Sequence, residues 1–441
     1  MNIESTAIGE RRSAGAESIS PTPFWMDDAP PPPLAHVPLP ERVDVLIVGA
    51  GYTGLSAARE PAAAGRSTLV VEAGALGAGC SSRNGGQVAY SFKPDHAELR
   101  ARHGEETARR IAAEGMNALW NLRSLAVDEH LDCDWRPVGG FYGAHTPRHF
   151  ERMARDAAND RSVPRQRISI VPRAEQGAEI ATDFYHGGLI YHDDAAVHPM
   201  RLLAALVGRA AAAGATIIEN CPALAVQRAG DGFEVATARG LVRARSVLLA
   251  TNGYSGALSP WHRRRVIPIG SYQIATAPLG AARVRALLPG LRVVGDSRRV
   301  VVYYRPSPDG ERIIFGGRAA LAETNPLACV PRLRAMLGQV FPELRDCPVS
   351  HAWAGFVAYT FDTMPHLGER DGLYHCMGYC GQGVPTATYF GKRIGQQMLG
   401  LAEGRTALDG IEFPSRPYYR RVPWFLAPSV YAYRLLDRIG V

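Results

Sequence analysis

VDVLIVGAGYTGLSAAREPAAAGRSTLVVEAG, residues 43–74, decides how the whole chain is read. Its first segment is almost continuously apolar, as a parallel strand buried on both faces must be. A small-residue helix follows, and a second buried strand ends in Glu72, which completes one βαβ unit. The turn between strand and helix carries Gly49, Gly51 and Gly54. The first glycine allows the tight turn, the second lets a pyrophosphate approach the backbone, and the third lets the helix pack close to the sheet. The phosphates then meet a helix N-terminus, where free N–H groups and the helix dipole favour an anion. Glu72 is placed to accept hydrogen bonds from a ribose hydroxyl, which argues against a 2′-phosphate. Pro61 breaks the local rule, because proline inside a helix removes a donor and costs about 3 kcal/mol. The helix is expected either to kink there or to end early.

Bulk properties set the limits around this unit. At 441 residues, 46% hydrophobic and 21% charged, the chain exceeds the usual size of one domain, so two connected domains are expected. The net charge of +7 is spread along the chain apart from the run Arg263, Arg264, Arg265. No aromatic residues interleave with a basic block, so nucleic acid is not an expected partner. The seven cysteines (Cys80, Cys133, Cys221, Cys329, Cys347, Cys376, Cys380) are scattered and lack CxxC spacing. They indicate a reducing, cytoplasmic location and no metal site. Arg11 and Arg12 lack the apolar stretch of an export signal, and no window is long and apolar enough for a transmembrane segment.

Further along, GAGCSSRNGGQV (residues 77–88) is a loop of small residues whose glycines let a flat ring or phosphate come close, while Ser, Arg and Asn side chains supply donors. On these residues alone an ordinary flexible loop is an equal reading. Together with the GAGYTG turn, ATNGY (250–254), FGGR (315–318) and GYCGQGV (378–384), the chain resembles the D-amino-acid-oxidase-type family of FAD-dependent oxidoreductases. Within it the likeness is greatest to the gamma-glutamylputrescine oxidoreductase group. The resemblance runs from about residue 20 to the C-terminus.

The fold class implied is α/β: a Rossmann-like FAD-binding domain with an interleaved mixed-sheet α+β substrate domain. Residues 1–40 read as a Pro-rich tail or strap; 41–90, 198–256 and 350–405 as the discontinuous FAD-binding domain; 91–197 and 257–349 as the substrate domain; and 406–441 as an extension with an amphipathic helix. The resemblance places Ser81 and Ser82 near the pyrophosphate, and Arg83 and Asn84, in the loop with Gly85, Gly86 and Gln87, near the isoalloxazine. It places Ala223 at the adenine, Thr251 and Gly253 near phosphate or ribose, and Gly378, Gly381, Gln382, Gly383 and Val384 at the pyrimidine end of the ring. The family often has His where Gln382 stands. Covalently attached relatives use a Cys near Phe356 and Val357 or a His before the ring, so non-covalent FAD is expected.

For the reaction, the resemblance implies that hydride leaves the carbon beside nitrogen for flavin N5, giving an imine that hydrolyses. It implies an amine or amino-acid substrate (polyamine-derived, N-substituted or similar), with oxygen or another electron carrier as the expected acceptor. Candidate cavity residues are Tyr272, Tyr304, Arg305, Arg318 and Trp353, with Gln273 and His351 beside them. Arg305 could grip a substrate carboxylate; a surface arginine beside a turn is the plainer alternative. A pyridine-nucleotide-dependent flavoprotein would need a second GxGxxG unit or a CxxxxC pair, and neither is found. A non-catalytic FAD-binding accessory protein stays open at this point.

Overall fold

The computed structural model describes residues 19–90, 92–159, 167–320, 323–419 and 423–439. Among these, the strands form two eight-stranded sheets and a two-stranded ribbon.

The first sheet grows from the opening βαβ unit. Arg42–Val48 pairs in parallel with Thr68–Val71 on one side and Gly240–Leu249 on the other. Thr216–Ile218 and Leu373–Met377 extend the parallel set, while Ala223–Ala229, Gly232–Thr237 and His366–Arg370 add antiparallel pairs. Val45 and Ile47 enter one core and Leu46 and Val48 another. That two-sided burial is why the segment reads as a continuous apolar run.

The helix Tyr52–Ala63 runs through Pro61 and ends two residues later, so the missing donor falls in the last turn. Beside it lies Gly383–Met398, joined through glycine. A Cβ on Gly395 would stand 2.6 Å from the Ala57 carbonyl oxygen, and one on Gly391 2.5 Å from that of Thr53. Backbone cannot yield there as a side chain can. Gly395→Ala is therefore expected to cost about 1–3 kcal/mol through overpacking, seen as a lower urea midpoint with an unchanged slope.

The second sheet runs in the order Val349–Tyr359, Ile267–Thr276, Ile313–Gly317, Val302–Pro306, Val293–Asp296, Gly140–Gly143, Gly188–Tyr191, Ile168–Val171. One face packs a core that includes Tyr272, Ile274, Tyr304 and Phe315 against Leu333 and Leu337 of the helix Pro326–Val340.

Two expected boundaries differ from this arrangement. Val349–Tyr359 pairs with Ile267–Thr276 over its whole length, so the chain returns to the first sheet at His366 and not at 350. Residues 91–197 do not behave as one block either. Leu99, Ala108, Ile111, Leu119 and Leu122, on the helices His96–His103 and Glu105–Val127, join the core of the first sheet, because their apolar stripe faces it.

The expected N-terminal strap is described from Ile19 onward; Arg11 and Arg12 lie outside the described residues. Ser20 exchanges backbone hydrogen bonds with Ser350 and Ala352, both at 2.9 Å. Trp25 is fully buried and donates from Nε1 to the Asn84 carbonyl at 2.8 Å. The two following acids pair with histidines, Asp27 with His351 at 3.1 Å and Asp28 with His198 at 3.0 Å. His351 thus ties down the strap and does not face the site. All seven cysteines are free thiols, and no helix among the described residues is long and apolar enough to cross a membrane.

Candidate active site

A cavity of about 1460 Å³ is lined by residues of both sheets, larger than the roughly 300–1,000 Å³ of a drug-sized ligand site. Its first-sheet end is the turn after Val48. Gly49 has φ +109°, and a Cβ on Gly51 would come 2.9 Å from Ser81 Oγ. The helix beginning at Tyr52 has no side-chain cap, which leaves first-turn N–H groups for a ligand. Glu72 is fixed in the wall by accepting from Ala50 N at 2.8 Å and Ala73 N at 2.9 Å.

At the other end the second sheet presents Ser271, Gln273, Tyr303, Gly355 and Val357. Ser271 Oγ and Tyr303 OH lie 2.8 Å apart, and burial pushes the Tyr303 phenol up to about 12. Gln273 is 1% exposed; its amide nitrogen donates to the Arg83 carbonyl, while Oε1 has no partner among the described residues. Gly381, Gln382, Gly383 and Val384 line the same end. They open the helix Gly383–Met398, which has no side-chain cap, so a second positive helix end meets the cavity.

The charged lining residues are Glu72, Arg83, Lys93, Arg299 and Arg318. Arg83 is engaged with the carbonyls of Ala78 (2.9 Å) and Ala354 (3.2 Å), and Arg318 pairs with Glu323 at 2.8 Å. Lys93 has no hydrogen bond or ion pair among the described residues, and its Nζ stands 5.9 Å from the centre of the Tyr359 ring. Among the described lining residues there is no histidine or aspartate. Burial holds Tyr254 above its ordinary range and pushes Cys80 up to about 11. One wall is the C-terminal helix Leu426–Ile439, through Leu426, Ser429, Val430, Tyr433 and Leu436. It is pinned by Asp437, which accepts from Arg299 N (2.8 Å) and Val300 N (3.0 Å), and by Arg434, which donates to the Arg318 carbonyl at 3.0 Å.

Residues 44–397 match the model of a family described as FAD dependent oxidoreductase. The chain belongs to that family. It is 33% identical over 427 residues to a probable oxidoreductase, OrdL, of Rhizobium meliloti, covering 94% of this chain and 98% of that protein. With the gamma-glutamylputrescine oxidoreductase of Escherichia coli it shares 30% identity over 402 residues, 90% of this chain and 93% of the other. The structure of glycine oxidase from Geobacillus kaustophilus superposes with a TM-score of 0.70 at 19% identity, over 86% of this chain and all of that one; this likeness is one of fold.

FAD is accordingly the cofactor of this FAD-dependent oxidoreductase, and the cavity fits it. The glycine cradle and uncapped helix suit a pyrophosphate, Glu72 suits ribose hydroxyls, and the orphaned Gln273 Oε1 is an acceptor for a ring N–H. Phe356 and Val357 offer no sulfur, and the neighbouring Cys80 donates to the Phe356 carbonyl and stays protonated.

The expected cofactor residues Gly49, Gly51, Glu72, Ser81, Arg83, Asn84, Gly85, Gln87, Ala223, Thr251, Gly381, Gln382, Gly383 and Val384 all line the cavity. Gly54, Ser82, Gly86, Gly253 and Gly378 do not. A Cβ on Gly54 would overlap the Gly49 carbonyl, so it serves the close approach of helix to sheet. Ser82 is buried and donates to the Gly77 carbonyl. Gly86 accepts from Arg305, Gly253 packs on Phe356, and Gly378 donates to Asn252 Oδ1.

Of the expected catalytic residues only Arg318 reaches the cavity. Tyr272 donates to Glu323 at 3.1 Å, and Tyr304 pairs with Tyr185 OH at 3.1 Å inside the second core. Arg305 is 3% exposed and donates to Val197 O and Gly86 O, and Trp353 donates to Arg83 O at 3.1 Å. Sequence reading missed Tyr303, Ser271, Lys93 and the C-terminal helix. A signal for Tyr303 was present: its cross-strand partner is Gly316, where a Cβ would overlap the Tyr303 ring.

Proposed function

We propose that this FAD-dependent oxidoreductase oxidises the C–N bond of an amine that also bears a carboxylate, giving an imine that water hydrolyses. The observation that carries the reading is the charge of the second-sheet end of the cavity: Arg83, Lys93, Arg299 and Arg318 line it, and no described carboxylate does. A free polyamine, cationic along its length, would meet a lining of like charge there, whereas a carboxylate would find the Lys93 ammonium, which has no ion pair among the described residues. The E. coli relative is named for a γ-glutamyl amine, a compound with that pair of groups.

Bound in this site, FAD supplies the two-electron acceptor for the hydride. The turn at Gly49–Gly51, Ser81 and Glu72 hold its nucleotide half, and Gln273 with the loop Gly381–Val384 holds the ring half. Lys93 binds the substrate carboxylate, and the Ser271–Tyr303 hydroxyl pair orients the amine. The C-terminal helix keeps water from the reacting carbon. Burial raises the pKa of the lining phenols Tyr52, Tyr142, Tyr254, Tyr303 and Tyr379 and of the Cys80 thiol, so none of these accepts the amine's proton at neutral pH, and the amine reacts as the neutral form.

The rate of anaerobic flavin bleaching is therefore expected to rise with pH through the ammonium pKa of each substrate, near the roughly 10.4 of an alkyl amine. An acid-limb pKa near 7 that stays fixed as the substrate changes would sink the absence of a protein base. A panel of γ-glutamylated amines, N-alkyl amino acids, D-amino acids and free polyamines identifies the substrate by loss of the visible flavin band. Lys93→Gln is expected to raise KM for a carboxylate substrate about tenfold (~1.4 kcal/mol), with a smaller change in kcat. Equal KM values in wild type and variant overturn the anchor.

A further inference from the structure

The C-terminal helix is apolar on two sides. Leu426, Val430 and Leu436 face the cavity, while Pro428, Tyr431, Ala432, Tyr433 and Leu435 are exposed. Tyr431 is 66% and Leu435 51% exposed; Trp424, just before the helix, is 64% and nearby Tyr418 54%. A surface helix ordinarily turns its charged residues to water. Here no charged residue of the helix is exposed among those described: Arg434 is half-buried and Asp437 is buried. Exposed Leu224 and Tyr254 line the cofactor cavity, so their exposure is explained; that of Trp424, Tyr431 and Leu435 is not.

We infer that this face docks on the surface of an anionic lipid bilayer. Charge decides the occupant. From Arg416 to Val441 the sequence has five arginines and one acidic side chain; among the described residues Arg416 is exposed and Arg434 half-buried, and the acidic side chain, Asp437, is consumed by two backbone N–H groups. An isologous pairing of two copies would set this positive charge against itself, whereas anionic headgroups complement it. Trp and Tyr beside Arg is the composition of an interfacial anchor, with the aromatics at headgroup depth and the cations toward the phosphates. Docking lays the wall of the cavity against the membrane without any segment crossing it.

The test uses the flavin-loaded holoenzyme and sedimentation with vesicles of phosphatidylglycerol in phosphatidylethanolamine, against phosphatidylcholine vesicles. Wild type is expected to pellet with the anionic vesicles, at least tenfold more than with the neutral ones, and to be released by high salt. The Trp424 emission is expected to shift to the blue on binding, a shift that Trp424→Phe removes. The variant Trp424→Ser/Tyr431→Ser/Leu435→Ser, whose residues do not line the cavity, should keep its flavin and its Tm but stay in the supernatant. A wild type that stays in the supernatant at low salt overturns the proposal. So does a concentration-dependent dimer that the triple variant dissolves, since the face would then be an interface between copies. These outcomes are read without turnover, so they are independent of the proposed substrate.

Discussion

Gly51→Val is expected to purify colourless. The added Cβ alone would lie 2.9 Å from Ser81 Oγ, the hydroxyl that accepts from Tyr52 N at 3.1 Å. The two further methyls have nowhere to go but the cradle between Gly49 and the first helical turn, where a pyrophosphate must touch the backbone. Losing that approach removes the helix-terminal hydrogen bonds to a doubly charged group, each worth about 1.5–3 kcal/mol. The affinity for FAD should fall by at least ~100-fold, or about 2.7 kcal/mol. Two measurements check it: the ratio of protein to flavin absorbance after purification, and the rise in Tm on adding FAD, which for a one-site ligand follows its concentration over Kd. Gly177→Ala is the control, since nothing lies within 4 Å of a Cβ at that position. A Gly51→Val protein that retains stoichiometric flavin would falsify the placement of the pyrophosphate.

The nucleotide half of this site was legible in the sequence because its requirements are backbone requirements. Gly49 and Gly51 answer to φ and to close approach, and Glu72 answers to the end of a strand, so each shows as a residue type at a fixed spacing. The ring half depends on which face of a strand a side chain takes. The sequence points to Tyr272 and Gln273 together and to Tyr304, whereas Ser271, Gln273 and Tyr303 line the cavity, and in a strand a shift of one residue moves every side chain to the opposite face. Both sequences, GSYQIAT and VVYYRPS, carry polar or aromatic residues on both parities, and so the pattern could not choose. Glycine across the ladder, as at Gly316 against Tyr303, was the better guide.

Arg305 shows a different limit. A guanidinium beside a turn looked like either a substrate anchor or a surface group, and it is neither. It sits 3% exposed, donating to Gly86, Val197 and Pro306 carbonyls, with its centre 5.5 Å from the Trp25 ring. Burial pulls its pKa down to about 10, so it stays charged at neutral pH and ties the flavin loop to the N-terminal strap. That role needs Trp25, 280 residues earlier, and contact at such separation leaves no local trace. The C-terminal helix was readable as amphipathic for the same reason that it was unreadable as a cavity wall: its period shows an apolar stripe but not what the stripe covers.

Acid is expected to unfold the protein cooperatively below about pH 5, and two histidines away from the cavity supply much of the drive. His262 and His375 lie with ring centres 4.8 Å apart, beside Trp261 and Phe413. They are 1% and 6% exposed. Burial, with Arg265 and Arg370 nearby, brings His262 down to about 4; burial and the neighbouring His262 bring His375 down to about 3. His262 Nε2 and His375 Nδ1 have no partner among the described residues, so neither proton would find an acceptor. Both rings are therefore neutral in the folded state and titrate near 6.5 once unfolded. As pH falls below that value the unfolded state binds protons that the folded state does not, so stability drops with decreasing pH. The loss begins near 6.5 and is complete only below the folded values. Between pH 7 and pH 5 each histidine removes about 2 kcal/mol, roughly 4 together, by the ~1.36 kcal/mol carried by each unit. That is a large share of the about 5–15 kcal/mol that holds a domain folded. Urea unfolding across this range checks it, with His375→Phe as the diagnostic: the variant should lose stability less steeply as pH falls, by about 2 kcal/mol less than wild type between pH 7 and pH 5. A slope identical to wild type would assign the acid sensitivity to other groups.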